Sequence, residues 1–175
     1  MSVEDKQERK EQLDRANERV EKLLAEYGEA EGFEPSSQYE IAGYLKLLGD
    51  KSIESTDKIG VVDMVWLGDD VFASTKVPVS DRKVPVYAFE IETGWRATNQ
   101  LRADITKLKL LNCVKGFIVY PEDAFEDGDE WQQAIDVIGR LARTQGALNV
   151  YYTDEQALKI NYSKHHKGKE LQYSH

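Results

Sequence analysis

Large apolar residues occupy every second position of residues 87–92, whose sequence is Tyr-Ala-Phe-Glu-Ile-Glu. Because the side chains of a β-strand alternate between two faces, this pattern predicts a strand with one apolar face and with Glu90 and Glu92 on the other. Two carboxylates at neighbouring positions of one face repel each other and resist burial. Either that face is fully exposed to water, or a cation lies against it.

Apolar residues three and four positions apart predict a long, highly charged helix over residues 3–31. The apolar stripe spans about two heptads, which is too short to prove a coiled coil. It consists of Leu13, Ala16, Val20, Leu23 and Tyr27. The helix either lies across the body of the protein and buries this stripe, or forms a contact between two copies of the chain.

A second helix is predicted to begin at Ser36 or Ser37, since either residue can cap it, and to run to about Leu48. Glu40 would lie in the middle of this helix. Taken alone, it is an ordinary solvated helical glutamate, and it gains interest only if other acids lie nearby.

Residues 59–67 predict an apolar strand that carries one charge, Asp63, at its centre. A lone carboxylate between valine, methionine and tryptophan is rare in strands unless it has a partner. The alternative is an edge strand that turns Asp63 towards water.

The remaining pattern alternates strands and helices. It predicts a short strand over residues 71–73, a helix over 98–111, a strand over 113–120, a helix over 131–144 and a strand over 148–152. This order favours an α/β protein with a central mixed sheet covered by helices in a three-layer α/β/α arrangement. The predicted organisation is an N-terminal charged helix (residues 1–34), an α/β core (35–153) and a basic C-terminal tail (154–175). The tail is expected to be frayed or docked on the surface, and residues 157–160 can form one helical turn.

Charge is distributed unevenly along the chain. The net charge of −9 argues, taken alone, against a polyanionic partner. Residues 93–119, however, contain five basic residues and one acid, and they directly follow the paired glutamates, where a phosphate-bearing ligand would need positive charge. A single cysteine, Cys113, and the lack of a signal-peptide-like or membrane-spanning apolar run predict a cytoplasmic protein with a buried, inert thiol.

Asp63, Glu90 and Glu92 would lie on one sheet if the intervening hairpin pairs their strands. A set of carboxylate oxygens suits a hard divalent cation, Mg²⁺ or Mn²⁺, whereas cysteine and histidine are too scarce here for a zinc site. Such a cation would relieve the repulsion between the acids and polarise a phosphodiester.

These residues resemble the motif of the PD-(D/E)XK nuclease superfamily. Asp63, a separation of 27 residues and the tripeptide Glu90-Ile91-Glu92 are similar to the subgroup of type II restriction endonucleases in which glutamate replaces the final lysine of the motif. The segments Gln-Leu-Arg-Ala-Asp-Ile-Thr-Lys-Leu (100–108) and Lys-Gly-Phe-Ile-Val-Tyr (115–120) also resemble that core. The resemblance covers residues 40–152.

The resemblance implies a restriction-endonuclease-like fold and a DNA phosphodiesterase that depends on Mg²⁺ or Mn²⁺. It implies that Asp63, Glu90 and the Ile91 carbonyl bind the metal. Glu92 would orient or deprotonate the attacking water, or hold a second cation. Glu40 would be the additional glutamate that members often contribute from the preceding helix. The implied DNA-binding residues are Arg96, Gln100, Arg102 and Lys107.

The absent motif lysine leaves other functions open. One alternative is a catalytically inactive nuclease-fold protein that binds nucleic acid or a protein partner. Another is an interaction module in which the N-terminal helix is the functional part. If the chain is a nuclease, a homodimer formed through that helix would present two sites to the two strands of DNA.

Overall fold

The computed structural model describes residues 3–47, 60–69, 83–93, 98–111, 113–125 and 128–172. Within these ranges the chain forms five strands and five helices. In chain order they are α1 (Val3–Ala30), β1 (Glu34–Glu40), α2 (Ile41–Leu47), β2 (Val61–Asp69), β3 (Lys83–Ile91), α3 (Thr98–Leu110), β4 (Lys115–Tyr120), α4 (Gly128–Thr144), β5 (Val150–Asp154) and α5 (Glu155–Gln172). The predicted short strand over residues 71–73 lies outside the described residues.

The strands form one mixed sheet in the order β1-β2-β3-β4-β5. The first three strands pair in antiparallel fashion, whereas β3, β4 and β5 run parallel. Each parallel pair is joined through a helix, α3 or α4, because parallel strands require a long crossover connection. The α/β class with a mixed sheet, predicted from the sequence, is therefore confirmed. The carboxyl ends of β3 and β4 lie at the same edge of the sheet.

Buried apolar side chains lie on both faces of this sheet. Ala88 and Ile118 pack in a cluster with residues of α2, α3 and α4, whereas their neighbours Phe89 and Val119 pack with residues of α1 and α5. Since consecutive residues of a strand point to opposite faces, the two clusters of buried side chains lie on opposite faces of the sheet.

Helix α1 confirms the predicted N-terminal helix, and it packs on the chain's own sheet. Its fully buried residues Ala16, Val20 and Leu24 are four positions apart. The next position is Gly28, where a Cβ atom would come within 2.7 Å of the indole nitrogen of Trp66. That nitrogen donates a hydrogen bond to the Leu24 carbonyl at 3.0 Å. The helix thus lies across the body of the protein, and a homodimer formed through it stays a prediction.

The predicted second helix is wrong in its first half. Residues 34–40 form β1 at the edge of the sheet, and the helix begins only at Ile41. Glu40 therefore ends a strand, opposite Val61 of β2, and does not lie within a helix. Local capping signals are weak, and here the backbone hydrogen bonds to β2 outweigh the signal at Ser36 and Ser37.

Of the two forms predicted for the C-terminal tail, the frayed one is wrong over residues 155–172, which form α5. A side-chain oxygen of Asp154 accepts a hydrogen bond from the backbone nitrogen of Ala157 at 2.7 Å, which caps the start of this helix. Leu158, one turn in, packs with the buried residues under α1. None of the helices within the described ranges is long and apolar enough to cross a membrane.

Candidate functional site

A cavity of about 330 Å³ lies at the carboxyl end of β3, between α1 and α3. Among the described residues, five carboxylates and one ammonium line it, so its charge is strongly negative. The lining residues are Asp14, Asn17, Asp63, Glu90, Ile91, Glu92, Thr93, Gln100, Asp104 and Lys107. We call it the acidic cavity.

Asp63 connects β2 to the end of β3. One of its carboxylate oxygens, Oδ2, accepts a hydrogen bond from the backbone nitrogen of Ile91 at 2.8 Å. The other oxygen lies 3.4 Å from the side-chain nitrogen of Gln38, on β1. Because β1 is the edge strand, β2 is an interior strand. Asp63 is therefore half-buried next to the paired glutamates, and the edge-strand alternative is wrong.

Glu90 is only 3% exposed and faces α3. Burial, and after it the nearby negative charge of Asp63, raise the pKa of Glu90 above its ordinary value, against the opposing effect of Lys107. The Glu90 face of β3 is thus not exposed to water. Of the two arrangements that the sequence left open, the structure has the one with a cation against this face, and the cation is a lysine.

Lys107 extends from α3 into the acidic cavity. Its Nζ atom lies 2.7 Å from Oε1 of Glu90 and 2.9 Å from Oδ1 of Asp104. It also donates a hydrogen bond to the Val61 carbonyl at 3.2 Å. Burial alone would lower the pKa of Lys107, but the two carboxylates outweigh burial and raise it, so the ammonium stays charged.

Asp104 is a cavity residue to which the sequence analysis assigns no role. It is 4% exposed, and its Oδ2 atom has no hydrogen-bond partner among the described residues. The sequence does contain a signal that places Asp104 beside two candidate site residues. Asp104 lies four positions after Gln100 and three before Lys107, so all three share one side of α3. An acid beside a lysine in a basic segment, however, reads as an ordinary surface pair.

Glu92 and Gln100 also line the acidic cavity. Glu92 directly follows β3, and its backbone nitrogen donates a hydrogen bond to the Val119 carbonyl at 2.8 Å, which joins it to the end of β4. Gln100 is exposed in the first turn of α3. Ile91 contributes its backbone at the cavity, whereas its side chain packs with the apolar residues under α1.

Two described residues implied by the resemblance, Glu40 and Arg102, do not line the acidic cavity. Glu40 is exposed at the end of β1 and does not line it. Arg102 lies exposed on α3, outside the cavity lining. Arg96 lies outside the described residues.

The donor chemistry of the cavity fits a hard divalent cation, because the ligands on offer are carboxylate and carbonyl oxygens. The buried Oδ2 of Asp104 and the excess of negative charge also favour a divalent cation. Among the described residues, however, no group of three or more acidic, histidine or cysteine side chains is close enough to hold one metal ion. Lys107 makes the contacts to Glu90 and Asp104 that a metal ion would make.

No protein-family model matches the chain, and no curated protein matches it either. A functional conclusion therefore depends on the chemistry of the acidic cavity.

Proposed function

We propose that the chain is a metal-dependent DNA endonuclease with a three-layer, restriction-endonuclease-like α/β/α fold. One observation carries the proposal. Asp63, remote in sequence from Glu90 and Glu92, lines the same cavity as both glutamates and accepts a hydrogen bond from the backbone nitrogen between them. The chance presence of an aspartate and two glutamates in a sequence would not bring them together at one edge of a sheet.

A phosphodiester resists hydrolysis because its negative charge repels nucleophiles and its alkoxide leaving group is poor. The carboxylates of Asp63 and Glu90 and the carbonyl of Ile91 would hold a Mg²⁺ or Mn²⁺ ion. When bound, this ion supplies positive charge at the nonbridging oxygens and lowers the pKa of a bound water.

Two further cavity residues, Glu92 and Gln100, contribute to the proposed hydrolysis through their side chains. Glu92 accepts the proton of the attacking water at one of its carboxylate oxygens, in the position where the usual motif has lysine. Gln100, exposed at the start of α3, donates a hydrogen bond from its side-chain nitrogen to the phosphate.

The test of the proposal is the metal dependence of DNA cleavage by the wild-type chain. Labelled linear duplex and branched DNA are incubated with the protein in Mg²⁺, in Mn²⁺ and in EDTA. We expect cleavage with either metal and none in EDTA, because the acids cannot position a water on a phosphate without the cation. Cleavage that persists in EDTA, or no cleavage of either DNA with either metal, would overturn the proposal.

Arg102, on the exposed side of α3, is proposed to contact a DNA phosphate. Replacing it with glutamine is expected to weaken DNA binding about fivefold and to lower the slope of log affinity against log salt by about one, because one phosphate contact is lost. Fluorescence anisotropy in EDTA, across a salt series, measures both quantities. Arg140→Gln, an equivalent change at an exposed position of α4, should alter neither. Equal slopes for Arg102→Gln and the wild type would remove Arg102 from the DNA-binding surface.

The second candidate is a catalytically inactive nuclease-fold protein that binds nucleic acid or a protein. The observation in its favour is the position of Lys107, which already pairs with both Glu90 and Asp104 without a metal. This candidate predicts DNA affinity that is intact and indifferent to Mn²⁺. The endonuclease predicts Mn²⁺ binding in the acidic cavity and cleavage.

A further inference from the structure

Lys107 is held in the acidic cavity by more than the attraction of two acids. Its Nζ atom contacts Glu90, Asp104 and the Val61 carbonyl, each within 3.2 Å. Its aliphatic stem passes over Gly60, where a Cβ atom would lie 3.1 Å from the lysine Cδ. Gly60 also has a φ of 123°, which other residues rarely adopt. The chain before β2 therefore leaves room for this lysine.

The charges around Lys107 do not balance. Asp63, Glu90 and Asp104 line the same cavity, and Lys107 is the single cationic side chain among its described lining residues. One oxygen of the buried Asp104 has no hydrogen-bond partner within the described part of the chain. A single ammonium satisfies one oxygen of Glu90 and one of Asp104, which leaves further carboxylate oxygens for a second cation.

We propose that Lys107 is the internal counter-ion of the acidic cavity, which holds Glu90 in the metal-free protein and which a divalent cation must displace from Glu90 in order to bind. The inference rests on the proposed function, in that it takes the acidic cavity to bind such a cation. A lysine on a flexible four-carbon stem can leave Glu90 while its backbone stays fixed in α3. Asp104, one turn away on the same helix, remains beside the ammonium after the exchange.

This arrangement makes metal binding an exchange of cations. Without the metal, Lys107 reduces the repulsion among the acids, so the cavity keeps its shape. When the metal binds, Glu90 exchanges the ammonium of Lys107 for a dication. Moving Lys107 costs free energy, and this cost lowers the affinity of the cavity for the metal. The lysine thus sets the concentration of metal at which the site fills.

The experiment compares Mn²⁺ affinity in the absence of DNA, measured by electron paramagnetic resonance of free Mn²⁺. We expect Lys107→Met to bind Mn²⁺ about tenfold more tightly than the wild type, because both the competing charge and its repulsion of the dication are removed. Lys109→Met is the matched control, since Lys109 is an exposed lysine of the same helix that bonds to the Gln145 carbonyl. The Mn²⁺ affinity of Lys109→Met should equal that of the wild type. Equal or weaker affinity in Lys107→Met would overturn the inference.

A second measurement uses the unmodified protein and so does not depend on how the variant folds. Amine-selective labelling followed by mass spectrometry reports the reactivity of each lysine. We expect Mn²⁺ to increase the labelling of Lys107 several-fold, because the displaced ammonium reaches solvent, and to leave Lys109 unchanged. Unchanged or decreased labelling of Lys107 at saturating Mn²⁺ would contradict the exchange.

The inference and the proposed function fail in different ways. Metal-dependent cleavage together with equal Mn²⁺ affinities of the wild type and Lys107→Met would leave the endonuclease standing and remove the counter-ion. Tighter Mn²⁺ binding by Lys107→Met, with no cleavage by the wild type, would support the counter-ion and remove the endonuclease.

Discussion

Replacing Asp63 with asparagine is expected to reduce Mg²⁺-dependent DNA cleavage by at least about 100-fold and to leave the fold intact. The change removes one negative charge from the set of oxygens proposed to hold the metal. The asparagine oxygen can still accept the hydrogen bond from the backbone nitrogen of Ile91, so the connection between β2 and β3 is kept. Initial cleavage rates at saturating Mg²⁺ measure the loss, and circular dichroism checks the fold.

The matched control is Asp69→Asn, the same change on the same strand. Asp69 is highly exposed and pairs with Lys83 at 2.9 Å, outside the acidic cavity. An exposed ion pair of this kind contributes little to stability, so both the rate and the fold should be unchanged. If the two variants cleave DNA at the same rate, Asp63 has no part in the reaction and the proposed site is wrong.

The sequence predicts the elements with strong apolar periodicity better than those without it. Strands β2 to β5 and helices α3 and α4 are found close to their predicted positions because their apolar periodicity is strong. The second half of strand β1 is predicted as helix, since its serines resemble helix caps and its sequence has little apolar alternation. Its conformation depends on pairing with β2, a contact that no local pattern specifies.

Helix α5 was missed for a related reason. Its sequence is highly polar and lacks a clear apolar stripe, so residues 155–172 look like a solvated tail. What anchors it is a buried charge, Glu155, which contacts Arg19 of α1 from 136 positions away. A pattern search over neighbouring residues cannot find a partner at that separation.

In the candidate site, too, local patterns identify some residues, whereas contacts between distant elements are not predicted. Asp63, Glu90 and Glu92 were identified because each acid interrupts or ends an apolar strand, and all three line one cavity. The resemblance implies that Lys107, a base on the helix behind the site, contacts phosphate. Its contact with Glu90 depends on how α3 lies on the sheet and on the space above Gly60, which the sequence does not reveal.

The buried carboxylate of Glu155 supports the second large prediction, because it joins three parts of the fold. Two of its partners lie on α1 and α5: Arg19 donates to both oxygens, at 2.7 and 2.8 Å, and Lys159 lies at 2.8 Å. The backbone nitrogen of Glu122, after β4, donates a hydrogen bond at 3.0 Å. Burial alone would raise the pKa of Glu155, but these donors outweigh it and lower the pKa to about 2.

Glu155→Gln is therefore expected to lower the free energy of unfolding at pH 7 by about 2–3 kcal/mol. The figure is below the full value of the pKa shift, because Arg19 and Lys159 are each more than 40% exposed and water screens their charges. Urea unfolding measures the change. Glu26→Gln, which removes an exposed carboxylate of α1 beside Lys22, should cost less than about 0.5 kcal/mol.

The pH dependence of the unfolding free energy distinguishes the contribution of the charge of Glu155 from that of its packing. A carboxyl whose pKa is lower in the folded protein stabilises it fully above the unfolded pKa of about 4.5, and this contribution is lost as the pH falls from 4.5 towards 2. The difference in unfolding free energy between the wild type and Glu155→Gln should thus be constant from pH 7 to pH 5 and should narrow by pH 3. A difference as large at pH 3 as at pH 7 would mean that packing of the side chain, and not its charge, holds α1 to α5.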